Sequence, residues 1–122
     1  MNALAWALVA PAGALGALAR HGTGRLVARL TGMGAPWGVM LVNLLGAFLV
    51  GLVAGLGTAH EVFLVLALGF LGAYTTFSTW MIETDLLLER RRYATALINV
   101  AAPAIGGIVL VAAGLAAGMA LA

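Results

Sequence analysis

Gly69 to Trp80 read G-F-L-G-A-Y-T-T-F-S-T-W. The stretch lies inside an apolar run long enough to cross a membrane. It nevertheless carries the glycines Gly69 and Gly72, the hydroxyls of Thr75, Thr76, Ser78 and Thr79, and the aromatics Phe70, Tyr74, Phe77 and Trp80. Lipid tolerates polar or interrupted backbone only where protein or a water-filled cavity covers it. An interrupted polar helix at membrane depth is therefore a candidate ion or substrate site.

The surrounding composition fits this setting. Of 122 residues, 64% are apolar and 8% charged, against roughly 25% charged in soluble domains. The chain reads as an all-α integral membrane protein, a single domain over residues 1–122 with no separate soluble module. A net charge of +2 from six arginines and four acids forms no continuous basic face, so nucleic acid is not an expected partner. Absence of cysteine excludes disulfides and thiolate metal sites. Met1-Asn2 supplies no positive n-region, so the first apolar segment is read as structure rather than as a signal peptide.

A crossing needs about 20 mainly apolar residues. Asn2–Ala19, Pro36–Ala59, Val62–Ile82 and Ala94–Ala122 qualify, with breaks at Arg20–Ala35, His60-Glu61 and Glu83–Tyr93. An even number of crossings puts both termini on one side. Arg20, Arg25 and Arg29 fall in the first connection and Arg90, Arg91 and Arg92 in the third, which share the opposite side. The positive-inside rule then places the arginines in the cytoplasm and the termini outside. The expected location is the cell membrane, inner or plasma, with lipid as neighbour. Gly51/Gly55 and Gly114/Gly118 have the spacing that lets membrane helices approach closely, and ordinary tight packing is their simplest role. Four thin helices enclose little interior, so the chain is expected to oligomerise to bury its polar residues.

Asn43 lies seven residues past Pro36, roughly 10 Å into the membrane at ~1.5 Å per residue. A buried amide without a partner costs about 2–7 kcal/mol, so it faces either another helix or a permeating ion. Phe77 and Trp80 are three apart and share a helical face; they form a packing stripe, or ring edges turned to an anion. The clustered hydroxyls either bond back to carbonyls four residues earlier or mark an unwinding whose carbonyls suit a hard cation. Arg20 is either a snorkelling loop residue or a buried vestibule cation. Pro103 is expected to kink the last helix, with Asn99 serving a partner near the kink. No Ser-His-Asp set, metal-ligand cluster or phosphate loop is visible, and no enzymatic activity is expected.

These residues resemble the CrcB/Fluc family of small fluoride channels. The likeness covers almost the whole chain: G-A-L-G-A-L-A-R ending at Arg20, V-N-L-L-G-A-F around Asn43, and the Gly69–Trp80 block, which is specific. The resemblance implies an antiparallel, dual-topology-type dimer with a broken third helix, paired pores and a central structural sodium ion. It implies that the backbone carbonyls of Gly72 and Thr75 hold the sodium. By the same likeness, Asn43, Phe77, Ser78, Thr79 and Trp80 line the fluoride path, and Arg20 stands near the vestibule. The chain departs from the family pattern at Trp80, usually phenylalanine, at Val39, usually threonine, and at Pro103, usually serine. Each lost hydroxyl removes a donor that could compensate dehydration of fluoride.

The leading expectation is a passive channel exporting cytoplasmic fluoride. HF crosses the bilayer, ionises inside and leaves an anion that a negative-inside potential drives out. An alternative is a partner subunit of a heterodimeric channel, paired with a paralogous chain and carrying an altered or silent pore. The one-sided arginines favour that alternative, since a chain inserting both ways should have little bias. A small-multidrug-type proton-coupled exporter would need an acid within the membrane, whereas Glu61, Glu83, Asp85 and Glu89 are expected at segment ends.

Overall fold

A computed structural model describes residues 1–34 and 36–122. Ala35, the expected end of the first connection, lies outside the described residues. The described residues are all-helical in class, with four apolar spans of membrane-crossing length among them: Ala3–Thr31, Trp37–Gly55, His60–Glu89 and Tyr93–Leu121.

Helix α1 (Ala3–Thr31) starts where Asn2 Oδ1 accepts from the Ala5 amide at 2.8 Å. It stops at Gly32, whose φ of 68° suits a residue without Cβ. Past the apolar limit at Ala19 this helix runs on through Gly22, Thr23 and Gly24, as snorkelling charged side chains near helix ends allow. Thr23 stays compatible with it by donating its hydroxyl to the Ala19 carbonyl at 2.8 Å. Arg20, Arg25 and Arg29 therefore sit on helix rather than in a loop. At 29 residues the helix is about 44 Å long, more than the ~30 Å hydrocarbon core, so its basic end protrudes.

Helices α2 (Trp37–Gly55) and α6 (Tyr93–Leu121) form the most extensive helix pair. Their seam is built on glycine. A Cβ on Gly51 would lie 2.2 Å from the Val111 carbonyl oxygen, and one on Gly114 2.1 Å from that of Phe48. Gly55 and Gly118 face backbone just as closely. Backbone-to-backbone approach of this kind supplies the dispersion contact that holds helices together in lipid, where no hydrophobic drive exists between them.

The third span is composite. Helix α3 (His60–Leu64) leads into a π-helical segment (Val65–Leu71), then the single turn α4 (Gly72–Tyr74), and, after an irregular link, α5 (Ser78–Glu89). The π segment packs on α1, and a Cβ on Gly16 would fall 2.1 Å from the Phe70 carbonyl oxygen. Glu83 was expected just beyond this span; the helix instead continues to Glu89, which sets Glu83 within it.

Candidate functional site

Helical geometry ends at Tyr74. Thr75 is extended, at φ −79° and ψ 160°, and the helix resumes at Ser78. Thr75 remains tied to the preceding turn: its amide and its hydroxyl each donate to the Leu71 carbonyl, at 3.0 Å. From Thr76 onward the pairing changes. The Thr76 amide donates to Asn43 Oδ1, and Asn43 Nδ2 donates back to the Thr76 carbonyl, both at 2.9 Å. The Thr79 amide turns to Thr76 Oγ1 at 3.3 Å, and that hydroxyl donates to Thr79 Oγ1 at 3.2 Å.

These diversions have a consequence for the carbonyls. In a continuous helix the Thr76 amide would bond the Gly72 carbonyl and the Thr79 amide the Thr75 carbonyl. Both amides are engaged elsewhere. The Gly72 and Thr75 oxygens are thus released from helical pairing, and carbonyl oxygens suit a hard cation. Among the described residues no group of His, Cys, Asp or Glu is arranged to hold a metal.

Asn43 was open between an interhelical hydrogen bond and an ion contact. It makes the interhelical bond, and the partner is the backbone of the interruption itself. Its amide has one further N–H to offer. The hydroxyl cluster divides in the same way: Thr75 bonds back to the carbonyl four residues earlier, whereas the Thr76 hydroxyl accepts from the Thr79 amide in the first turn of the restarted helix.

Phe77 is 70% exposed on the single chain. Its ring meets Trp80 edge-on, with centroids 5.8 Å apart and planes at 88°. Phe70 and Tyr74 instead stack at 6.0 Å. Tyr74 is buried, with its hydroxyl 3.1 Å from Thr23 Oγ1, in keeping with a packing role.

A cleft of about 430 Å³ brings Asn43, Gly72, Thr75, Thr76, Phe77 and Trp80 together, with Gly46 on its α2 wall and Pro103 on its α6 wall. Gly46 must be small, because a Cβ there would fall 2.2 Å from Thr75 Cγ2. Ser78 and Thr79 do not line this cleft; Ser78 is exposed beside it. Arg20 is half-buried and lines a separate cleft of about 150 Å³ with Val39 and Glu83.

Trp80 also reaches α6. Its indole N–H donates to the Asn99 carbonyl. Asn99 Nδ2 donates to Thr84 Oγ1 at 2.9 Å, and Thr84 Oγ1 donates to the Trp80 carbonyl at 2.8 Å. Asn99 finds its partners on α5, in Trp80 and Thr84, and α6 runs as one helix through Pro103. Thr84 and Glu83 were not foreseen as participants. Glu83 Oε2 is buried without a hydrogen-bond partner among the described residues. Recognising it required knowing that the third span extends past Ile82.

The CrcB-like protein, Camphor Resistance (CrcB) family model matches residues 7–115. A fluoride-specific ion channel FluC of Solidesulfovibrio magneticus is 44% identical over 115 residues, covering 90% of this chain and 92% of that protein. Fluoride-specific ion channel FluC 1 of Symbiobacterium thermophilum is 40% identical over 121 residues, covering 94% and 98%. FluC 2 of Clostridium acetobutylicum is 40% identical over 101 residues, covering 83% and 86%. With its membrane-length helices and the Asn43-bound link in the third span, the chain belongs to the CrcB-like family.

Proposed function

We propose that this chain is the subunit of a passive, fluoride-selective channel that lets cytoplasmic fluoride leave down its electrochemical gradient. The names of its relatives support the ion. The observation that carries the reading is the clasp between Asn43 and Thr76, which holds the third span open and sets Phe77 and Trp80 in one cleft with Asn43. Such a cleft offers a dehydrating anion an amide N–H and positive ring edges, without a fixed charge that would trap it. Ser78 and Thr79 extend this path on the side where a second chain would close it. Arg20, half-buried in its own cleft, raises the local anion concentration at a mouth of the path.

The functional unit on this reading is an antiparallel dimer in which the third span is a broken helix facing the partner. The unpaired carbonyls of Gly72 and Thr75 are costly toward lipid, and an inverted copy covers them together with the exposed Phe77 ring. Gly72 and Thr75 of both chains would then hold a sodium ion, which supplies positive charge and cross-links the halves when bound. The carbonyls fit it, since both have lost their helical donors.

One observation favours a heterodimer with a paralogous chain. Arg25 and Arg29 lie at the same end of the bundle as Arg90, Arg91 and Arg92, all exposed, and such a bias fixes orientation. Compartment-sensitive reporters fused after Ala122 distinguish the two: one external signal supports a heterodimer, and equal signals support a homodimer. The test of the channel itself is Phe77→Ala. Phe77 is so exposed in the subunit that truncation should leave the fold intact, and fluoride efflux should fall to background. Full efflux from a correctly assembled Phe77→Ala protein rejects the path.

A further inference from the structure

Proline has no N–H, so Pro103 leaves the carbonyl of Asn99, four residues earlier in α6, without its helical donor. Asn99 and Pro103 are both buried, which denies that carbonyl bulk water; a buried acceptor must find a partner in the protein. The partner is the Trp80 indole N–H. The loop then closes from Asn99 through Thr84 back to the Trp80 carbonyl. Both ends of Trp80 are thereby fixed to the same small network, and its ring is held perpendicular to that of Phe77.

We propose that Pro103 and Trp80 act as one device: Pro103 frees the Asn99 carbonyl, the carbonyl anchors the Trp80 indole, and the anchored ring sets the cleft wall beside Phe77. Asn99 and Pro103 are positioning residues for the aromatic pair. The inference rests on the reading of the cleft as the ion path. It has a chemical corollary. With its N–H committed to α6, Trp80 offers an ion only carbon-bound hydrogens, like Phe77, so the pair forms an apolar ring wall and not a hydrogen-bonding one.

The device predicts coupling. In Pro103→Ala the new backbone N–H draws the Asn99 carbonyl back toward helical pairing and so weakens its bond to the indole. In Trp80→Phe the carbonyl is left unpaired. The double variant restores a donor to the carbonyl with no indole left to displace. The primary measurement is hydrogen exchange of the Trp80 indole proton by NMR, in a W6F/W37F background where Trp80 is the sole indole. Pro103→Ala should accelerate that exchange about tenfold or more, the scale of one lost hydrogen bond. Unchanged exchange overturns the proposal. Should Pro103→Ala fail to fold, Pro103→Ser restores the same N–H and is judged by the same criterion.

Liposome efflux of fluoride provides the second readout. If each single change slows efflux about tenfold, the double should also slow it about tenfold, whereas independent residues would multiply to about a hundredfold. Multiplying losses overturn the device. If the parent chain moves no fluoride either alone or with a paralogous partner, the channel reading falls, and indole exchange alone supports or overturns the coupling.

Discussion

Removing the Asn43 side chain should cost more than removing that of Thr76, although the two residues are partners. Asn43→Ala deletes two hydrogen bonds of 2.9 Å and strands the Thr76 amide and carbonyl. A typical bond contributes ~1 kcal/mol net, and a stranded buried group costs ~1–3 kcal/mol. Thr76 is only half-buried, which favours the lower end, so the pair of losses sums to about 2–4 kcal/mol. That is a factor of about 30 to 1,000 in the folded-to-unfolded ratio. Thr76→Ala, by contrast, keeps its backbone and hence both Asn43 bonds. It loses the hydroxyl that accepts from the Thr79 amide at 3.3 Å, worth about 0.5–1 kcal/mol. Detergent-driven unfolding equilibria of the two variants give the comparison, and hydrogen exchange at the Thr76 amide locates it. Equal stability of the two variants, or unchanged Thr76 protection in Asn43→Ala, would refute the clasp.

Gly46→Ala should destabilise by about 1–3 kcal/mol through its clash with Thr75 Cγ2, and Thr75→Ser, which deletes that methyl, should restore most of the loss in the double variant by thermal size-exclusion midpoint. Gly114→Ala meets the Phe48 backbone oxygen instead of a side chain, so no single side-chain change should rescue it; Gly22→Ala, with nothing within 4 Å, should be neutral or stabilising by ~0.5–1 kcal/mol in the same assay. Tyr74→Phe should cost about 1 kcal/mol through the lost contact with Thr23, measured by the same unfolding equilibrium.

The number and order of the crossings were legible because lipid demands long apolar runs. Their ends were not. Arg20 looks like the start of a loop, yet the helix carries it to Thr31, since a charged side chain can sit on a helix wherever a cleft or the interface receives its head. Glu83 was misplaced for the same reason, and with it the buried carboxylate oxygen facing Arg20's cleft went unseen. At the site, Asn43, Thr75, Phe77 and Trp80 stood out as polar or aromatic residues at membrane depth. The Asn43–Thr76 pairing did not, because it joins residues 33 positions apart and depends on helix rotation that periodicity does not fix. The π segment at Val65–Leu71 was not foreseen either: Gly69 and Phe70 stood out, but nothing in their types signals a widened turn, and the segment packs on α1. Pro103 and Trp80 each looked like an isolated departure from a pattern. Only their contact through Asn99 shows that one supplies the acceptor the other uses.

Fluoride efflux from liposomes holding the purified chain alone, compared with chloride under the same gradient, tests the central claim most directly. A homodimeric channel predicts rapid fluoride loss with chloride retained, and abolition of that loss by Phe77→Ala. Chloride leaving as fast as fluoride, or fluoride retained by the chain both alone and with a paralogous partner, would contradict the account.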